Sequence, residues 1–139
     1  MKRRELLIGT GMALAAVASA SADKAVAKSV PSAPSGGLTV ATASCVRVAQ
    51  ACLRHCLAML STGNPSMAGC AKAVADLIPA VEALGAIAAG GSRHVSPLAK
   101  VVAEIAKDCK AECDKHATME PCKACGDSCA ALLAEIAKV

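Results

Sequence analysis

The chain has 139 residues, 55% of them hydrophobic and 19% charged, enough for one small domain with a real core and hardly for two. Its formal charge of +4 falls to +2 without Lys2, Arg3, Arg4 and Glu5, too little basicity for a nucleic-acid partner. Nine cysteines are an odd number, so a complete internal disulfide framework is excluded.

Lys2, Arg3 and Arg4 precede an apolar stretch from Leu6 to Val17, and Ala18-Ser19-Ala20 supplies the small residues that signal peptidase accepts. Residues 1–20 therefore read as an export signal. Arg3-Arg4 followed by Glu5, Leu6 and Leu7 resembles the core of a twin-arginine leader, while Lys2 and Ile8 depart from its preferred flanks. The apolar run is shorter than the ~20 residues that span a bilayer, so cleavage rather than permanent anchoring is expected. Small residues with Pro31, Pro34, Gly36 and Gly37 make 21–37 a flexible tether.

Beyond the tether, the absence of Phe, Tyr and Trp alongside abundant Ala, Leu, Val, Lys and Glu suits helices better than strands. Asn64-Pro65 and Ser96-Pro97 each set a capping residue before a proline, and Thr118 with Pro121 marks a third, less regular start. Gly63 and Gly90-Gly91 supply stops. The predicted helices run from Leu38 to Thr62, Pro65 to Ala89, Pro97 to His116 and Met119 to Lys138. Short turns between long helices predict an all-α, antiparallel up-down four-helix bundle with a cysteine-lined interior, over residues 38–139. Pro79 falls inside the second helix, where it removes one backbone hydrogen bond and is expected to kink it.

Cys45, Cys52 and Cys56 are spaced by seven and four, so they share one stripe of the first helix. Cys109 and Cys113 do the same on the third, and Cys122, Cys125 and Cys129 on the fourth, while Cys70 opens the second. In an up-down bundle the first and third helices end where the second and fourth begin. Most thiols converge at that end, with Cys45 and Cys129 deeper by roughly 10 Å at ~1.5 Å per residue.

A lone cysteine is commonly just a small buried hydrophobe, but in-register stripes on several helices point to a thiol-lined metal site. Residues four apart on a helix hold their Cβ atoms about 5–6 Å apart, beyond the ~3.8 Å of an unstrained disulfide. Cys52/Cys56 and Cys109/Cys113 should therefore resist intrahelical bridging. Zinc prefers closed tetrahedral knuckles on loops, whereas soft copper(I) accepts thiolate pairs and bridged clusters. Sharing each thiolate between monovalent ions also limits the negative charge left in an apolar tube, with a ceiling of roughly one ion per thiol. Cys122-x2-Cys125-x3-Cys129 lacks the bacterial iron-sulfur spacing and its trailing Cys-Pro.

His55, Met59 and Met67 fall where the tube opens, and imidazole and thioether are neutral copper(I) ligands able to hold an incoming ion before thiolates take it. Met119 is a weaker candidate by position. His94, in the opposite turn, and His116, ending the third helix, are expected to be solvated.

Leu53-Arg54-His55-Cys56, Ser66-Met67, Cys70, Glu112-Cys113-Asp114-Lys115 and Cys122-Lys123-Ala124-Cys125-Gly126 stand in an order and spacing that resembles the exported branch of the bacterial copper storage protein family. The resemblance covers Cys45 to Cys129. It implies a four-helix bundle with inward cysteines, several copper(I) ions held by thiolate pairs, histidine and methionine ligands at the mouth, and homotetramers. It also implies a periplasmic location, or one in the lumen of intracytoplasmic membranes, and a copper-dependent oxidase or a copper chaperone as partner. The matching positions are the nine cysteines with His55, Met59 and Met67. Val81, Ala106, Leu132 and Ile136 stand where such proteins tend to carry further cysteines, and Thr62 where another mouth methionine is expected. The far half is therefore expected to be an aliphatic plug.

Alternatives within the sequence are a thiol-disulfide redox protein, a disulfide-stapled structural bundle, and a low-capacity copper chaperone or sensor. An enzyme is not expected, because no nucleophile-base pair or open metal site with carboxylates is evident.

Overall fold

A computed structural model describes residues 36–139. The expected export signal (1–20) lies outside the described residues, as does the tether (21–37) apart from its last two glycines. Four helices follow in order: α1 (Gly36–Ser61), α2 (Ala68–Ala89), α3 (Val95–Asp114) and α4 (Glu120–Ile136), with a 3-10 turn at Pro65–Met67 leading into α2. Each helix packs on two others: α1 and α3 both lie against α2 and α4, with no diagonal backbone contact among the described residues. The result is the predicted antiparallel bundle, square in section and open along its centre to side chains alone.

The helices form and pack this way because each carries one inward stripe at alternating steps of three and four residues. In α1 the stripe is Leu38, Thr42, Cys45, Ala49, Cys52 and Cys56. In α2 it is Cys70, Val74, Leu77, Val81, Leu84 and Ala88, with Ala71 beside it. In α3 it runs Ala99, Val102, Ala106, Cys109 and Cys113, and in α4 Cys122, Cys125, Cys129, Leu132 and Ile136. A seven-residue period keeps one seam facing the partner helices and gives near-antiparallel packing. Side chains such as Leu38, Leu77, Leu84 and Leu132 are fully buried, each contributing about 1.5–3 kcal/mol by removal of apolar surface from water.

Two turns are built alike. Gly63 takes φ +85° and Gly91 φ +63°, the left-handed conformation that only glycine adopts without strain. Around Gly63, the Asn64 N–H donates to the Met59 carbonyl at 3.1 Å and the Gly63 N–H to that of Leu60 at 3.0 Å. Around Gly91, Ser92 donates to Ile87 at 3.0 Å and Gly91 to Ala88 at 3.1 Å. This paired pattern satisfies the last helical carbonyls and turns the chain back. Past the first turn, the Asn64 side chain accepts hydrogen bonds from the Ser66 N–H at 3.2 Å and its Oγ at 2.6 Å, so the predicted cap at Asn64-Pro65 is present.

Several boundaries differ from the sequence reading. α1 begins at Gly36, two residues inside the expected tether, and α3 begins at Val95 rather than Pro97. Ser96 lies within α3 and His94 precedes it, its N–H received by the Ser92 hydroxyl at 3.2 Å. No side chain caps the first turn of α3, because the glycine turn at Gly91 has already aimed the chain along the helix axis. α3 stops at Asp114 and α4 at Ile136, each two residues short of expectation. α2 is continuous through Pro79. Pro79 and Ala75 are both exposed, so water can take the carbonyl that the proline ring leaves without a donor.

The core sorts by chemistry along the axis. At the end where α1 and α3 finish, the stripes carry cysteine; at the other end they carry Leu38, Leu84, Ala88, Ala99, Val102, Leu132 and Ile136. The expected aliphatic plug is therefore present, with one polar member. Thr42 is 2% exposed, the only buried polar side chain among the described residues, and its hydroxyl donates to the Thr39 carbonyl at 2.9 Å.

Candidate metal centre

All nine cysteines are free thiols with 0% exposure. Their sulfurs form three overlapping groups, in each of which every pair lies within 4.8 Å: Cys52, Cys56, Cys70 and Cys122; Cys52, Cys113 and Cys125; Cys109, Cys125 and Cys129. Cys52 belongs to the first two groups and Cys125 to the last two. The groups therefore form a continuous column running inward from the end where α1 and α3 finish. Cys45 extends it further along the buried stripe of α1.

Four helices contribute to this column because the bundle is square. Cys52 on α1 reaches across the centre to Cys113 on α3, although the two backbones do not touch. Individual sulfur separations are 3.5 Å for Cys56–Cys70, 3.8 Å for Cys70–Cys113, and 3.9 Å from Cys52 to each of Cys56, Cys70 and Cys122. The in-helix pair Cys109–Cys113 stands at 4.0 Å. Two metal–thiolate bonds of about 2.3 Å reach roughly 4.5 Å across a linear bridge, so such pairs accept a soft ion with small movements. Close helix approach at this level depends on Gly126. A Cβ there would stand 3.0 Å from an Asp114 carboxylate oxygen and 3.6 Å from Cys113 Cβ.

Packing thiols together makes them share protons. Cys113 is held well below the ordinary thiol range by hydrogen bonds from Cys109 first, then Cys125, Cys52 and Cys70. Cys52 and Cys109 are pushed far above it, each chiefly because it donates to Cys113 and then to Cys125. Cys70 is raised mainly by its bond to Cys113, and Cys122 mainly by burial. Cys45 is lowered by the hydrogen bond from Cys129, which outweighs desolvation, with a smaller bond from Ser128. The column accommodates negative charge at Cys113 and Cys45 and resists it at Cys52, Cys70, Cys109, Cys122 and Cys125. Cations that replace the protons remove that resistance.

The candidate mouth residues divide. His55 is half-buried on α1, and its Nε2 lies 3.1 Å from the Met119 Sδ at the head of α4. Met119, ranked below Met59 and Met67 from sequence, is therefore the thioether placed directly against the imidazole. Its position just before α4 is the signal that mattered, since α4 neighbours α1 in the square. Met67 is fully buried just ahead of α2 and Met59 is half-buried against the core. His94 is exposed, as expected, whereas His116 is half-buried in the α3–α4 turn. Sequence reasoning missed Ser128 and Thr42. Continuing the α1 stripe three residues back from Cys45 would have found Thr42.

Fold and site together define a thiol-lined four-helix bundle whose donors are those of a soft-metal-binding protein. The family model described as copper storage protein matches residues 35–139, and the chain belongs to that family. No curated protein matches it.

Proposed function

We propose that the chain binds and stores several copper(I) ions along its sulfur column, with Cys45, Cys52, Cys56, Cys70, Cys109, Cys113, Cys122, Cys125 and Cys129 as thiolate ligands. The observation that carries this reading is the overlap of the three groups through Cys52 and Cys125. A chaperone that hands over one ion needs one accessible pair. A chain of shared, fully buried sulfurs suits capacity, because bridging thiolates balance more monovalent charge per sulfur.

His55 with Met119, and Met59 and Met67 nearby, form the receiving end. Neutral donors hold an ion without first losing a proton, then pass it to thiolates. The same reading takes residues 1–20 as an export signal of the twin-arginine type and 21–37 as a tether. The bundle then works in the periplasm or an equivalent lumen, as a reservoir for an exported or membrane copper enzyme, without catalysing a reaction itself. Assembly into tetramers would use outward apolar residues such as Val40, Leu57 and Val101, which are 71%, 53% and 56% exposed.

Anaerobic titration of the reduced chain with copper(I) against a competing chelator tests this. Storage requires uptake well beyond two ions per chain. Saturation at one or two ions means a chaperone or sensor.

A further inference from the structure

We infer that the Cys56–Cys70 pair is a built-in reductant for incoming copper(II), delivering copper(I) to the column and closing to a disulfide. This inference rests on the storage reading, since the remaining thiols receive the product. The two sulfurs lie 3.5 Å apart, nearer than the 3.8–4.0 Å of the other thiol contacts described above. They belong to different helices, one near the end of α1 and the other in the first turn of α2.

That placement separates them from Cys52/Cys56 and Cys109/Cys113. Those pairs sit four residues apart on one helix, where Cβ atoms about 5–6 Å apart oppose closure. A cross-helix pair is free of that fixed in-helix spacing, and its sulfurs would close from 3.5 Å to the ~2.05 Å of a disulfide. The pair also lies in the outermost of the three groups, at the end of the bundle where α1 finishes and α2 begins. His55 is the chain neighbour of Cys56 and is half-buried at that end. Imidazole is a donor that suits copper(II), whereas thioether favours copper(I).

The chemistry balances without any other oxidant. Each of two copper(II) ions takes one electron from a thiolate, giving two copper(I) ions. The two sulfurs join in one S–S bond, and both thiol protons leave to solvent. Two of the nine thiols are consumed and the others stay as ligands. A small-molecule dithiol restores the pair by exchange.

The test adds two equivalents of copper(II) sulfate to the reduced, metal-free full chain without oxygen. Freeze-quench EPR follows loss of the copper(II) signal. Thiols are then counted after unfolding in a strong chelator, and the bridge is mapped by non-reducing peptide mass analysis. Expected results are a silent spectrum, two fewer thiols and a Cys56–Cys70 bridge. Cys56→Ser and Cys70→Ser should each slow reduction by at least about tenfold, because serine cannot supply the sulfur electron. Persistence of the copper(II) signal, a bridge at Cys70–Cys113 or any other pair, or variants reducing as fast as the parent would each overturn the assignment. Where a variant fails to fold, the bridge mapped in the parent chain decides. Copper(I) titration of the same parent sample keeps the two readings apart. Reduction at Cys56–Cys70 without copper(I) retention would remove storage and leave the reductant, and the reverse result would do the opposite.

Discussion

Cys52 and Cys45 are both fully buried on the same stripe of α1, yet truncating them should have very different consequences. Cys52 is a corner of two of the three sulfur groups and lies 3.9 Å from three other thiols, whereas Cys45 belongs to none of the groups. In the metal-free bundle, Cys52→Ala and Cys45→Ala each remove one buried heavy atom. Each therefore costs about 1–2 kcal/mol in lost burial plus a small cavity. At ~4–8 °C per kcal/mol for a domain of this size, both metal-free melting temperatures should fall by similar, modest amounts.

Copper separates them. Losing Cys52 opens the first and second groups together, so capacity should fall by more than one ion. Losing Cys45 should remove at most the innermost ion. Chelator-competed copper(I) titration, beside circular-dichroism melts of the metal-free proteins, reads both quantities. Equal capacity losses in the two variants would refute the idea that shared sulfurs organise the column. A much larger fall in the metal-free melting temperature for Cys52→Ala would refute the packing argument.

Leu84→Ala, in the aliphatic end, should destabilise the metal-free bundle by about 2–5 kcal/mol in urea while leaving copper capacity unchanged, since no thiol lies on its level. Raising pH should weaken the metal-free fold: Cys52, Cys70, Cys109 and Cys122 are raised above the ordinary 9.0. Their contribution is thus complete below about pH 9 and is lost as pH climbs beyond it, whereas Cys45 and Cys113, being lowered, add no slope there. Melting temperature should therefore decline above pH 9 in the metal-free protein and hold in the copper-loaded one. His55→Ala should leave capacity intact and slow transfer of copper(I) from a chelator in stopped-flow measurements, and Met119→Ala should do the same through the sulfur that faces the imidazole.

The helices and their order were legible because glycine and proline punctuate this chain at physically specific places. Gly63 and Gly91 need positive φ, and Asn64-Pro65 needs its cap. The inward stripes were legible for the same reason, since a seven-residue cysteine and aliphatic period has one interpretation in a helix. Ser96-Pro97 misled because a cap signature describes what a residue is able to do, and the turn at Gly91 had already set the chain into α3 from Val95. Met119 was undervalued because its partner His55 is 64 residues away. Which helices adjoin in the square, and not spacing along the chain, decides that contact. The sharing of Cys52 and Cys125 between groups was equally out of reach, because it depends on sulfur positions across the bundle's centre.

The division of the core into a sulfur end and an aliphatic end also bears on how the protein holds its shape when empty. A bundle lined with thiols throughout would have a core of modest hydrophobes whose proton sharing changes with every ion gained or lost. Here α2 supplies one thiol and an otherwise apolar stripe of Val74, Leu77, Val81, Leu84 and Ala88. That stripe faces α1 and α3 along most of the bundle. Burial on this wall and at the far end does not depend on metal, so the proposed storage would leave the fold intact whether the column is full or empty. On the storage reading, fewer cysteines would mean lower capacity together with a scaffold less dependent on its cargo. The Leu84→Ala and Cys52→Ala variants probe the two halves of that division separately.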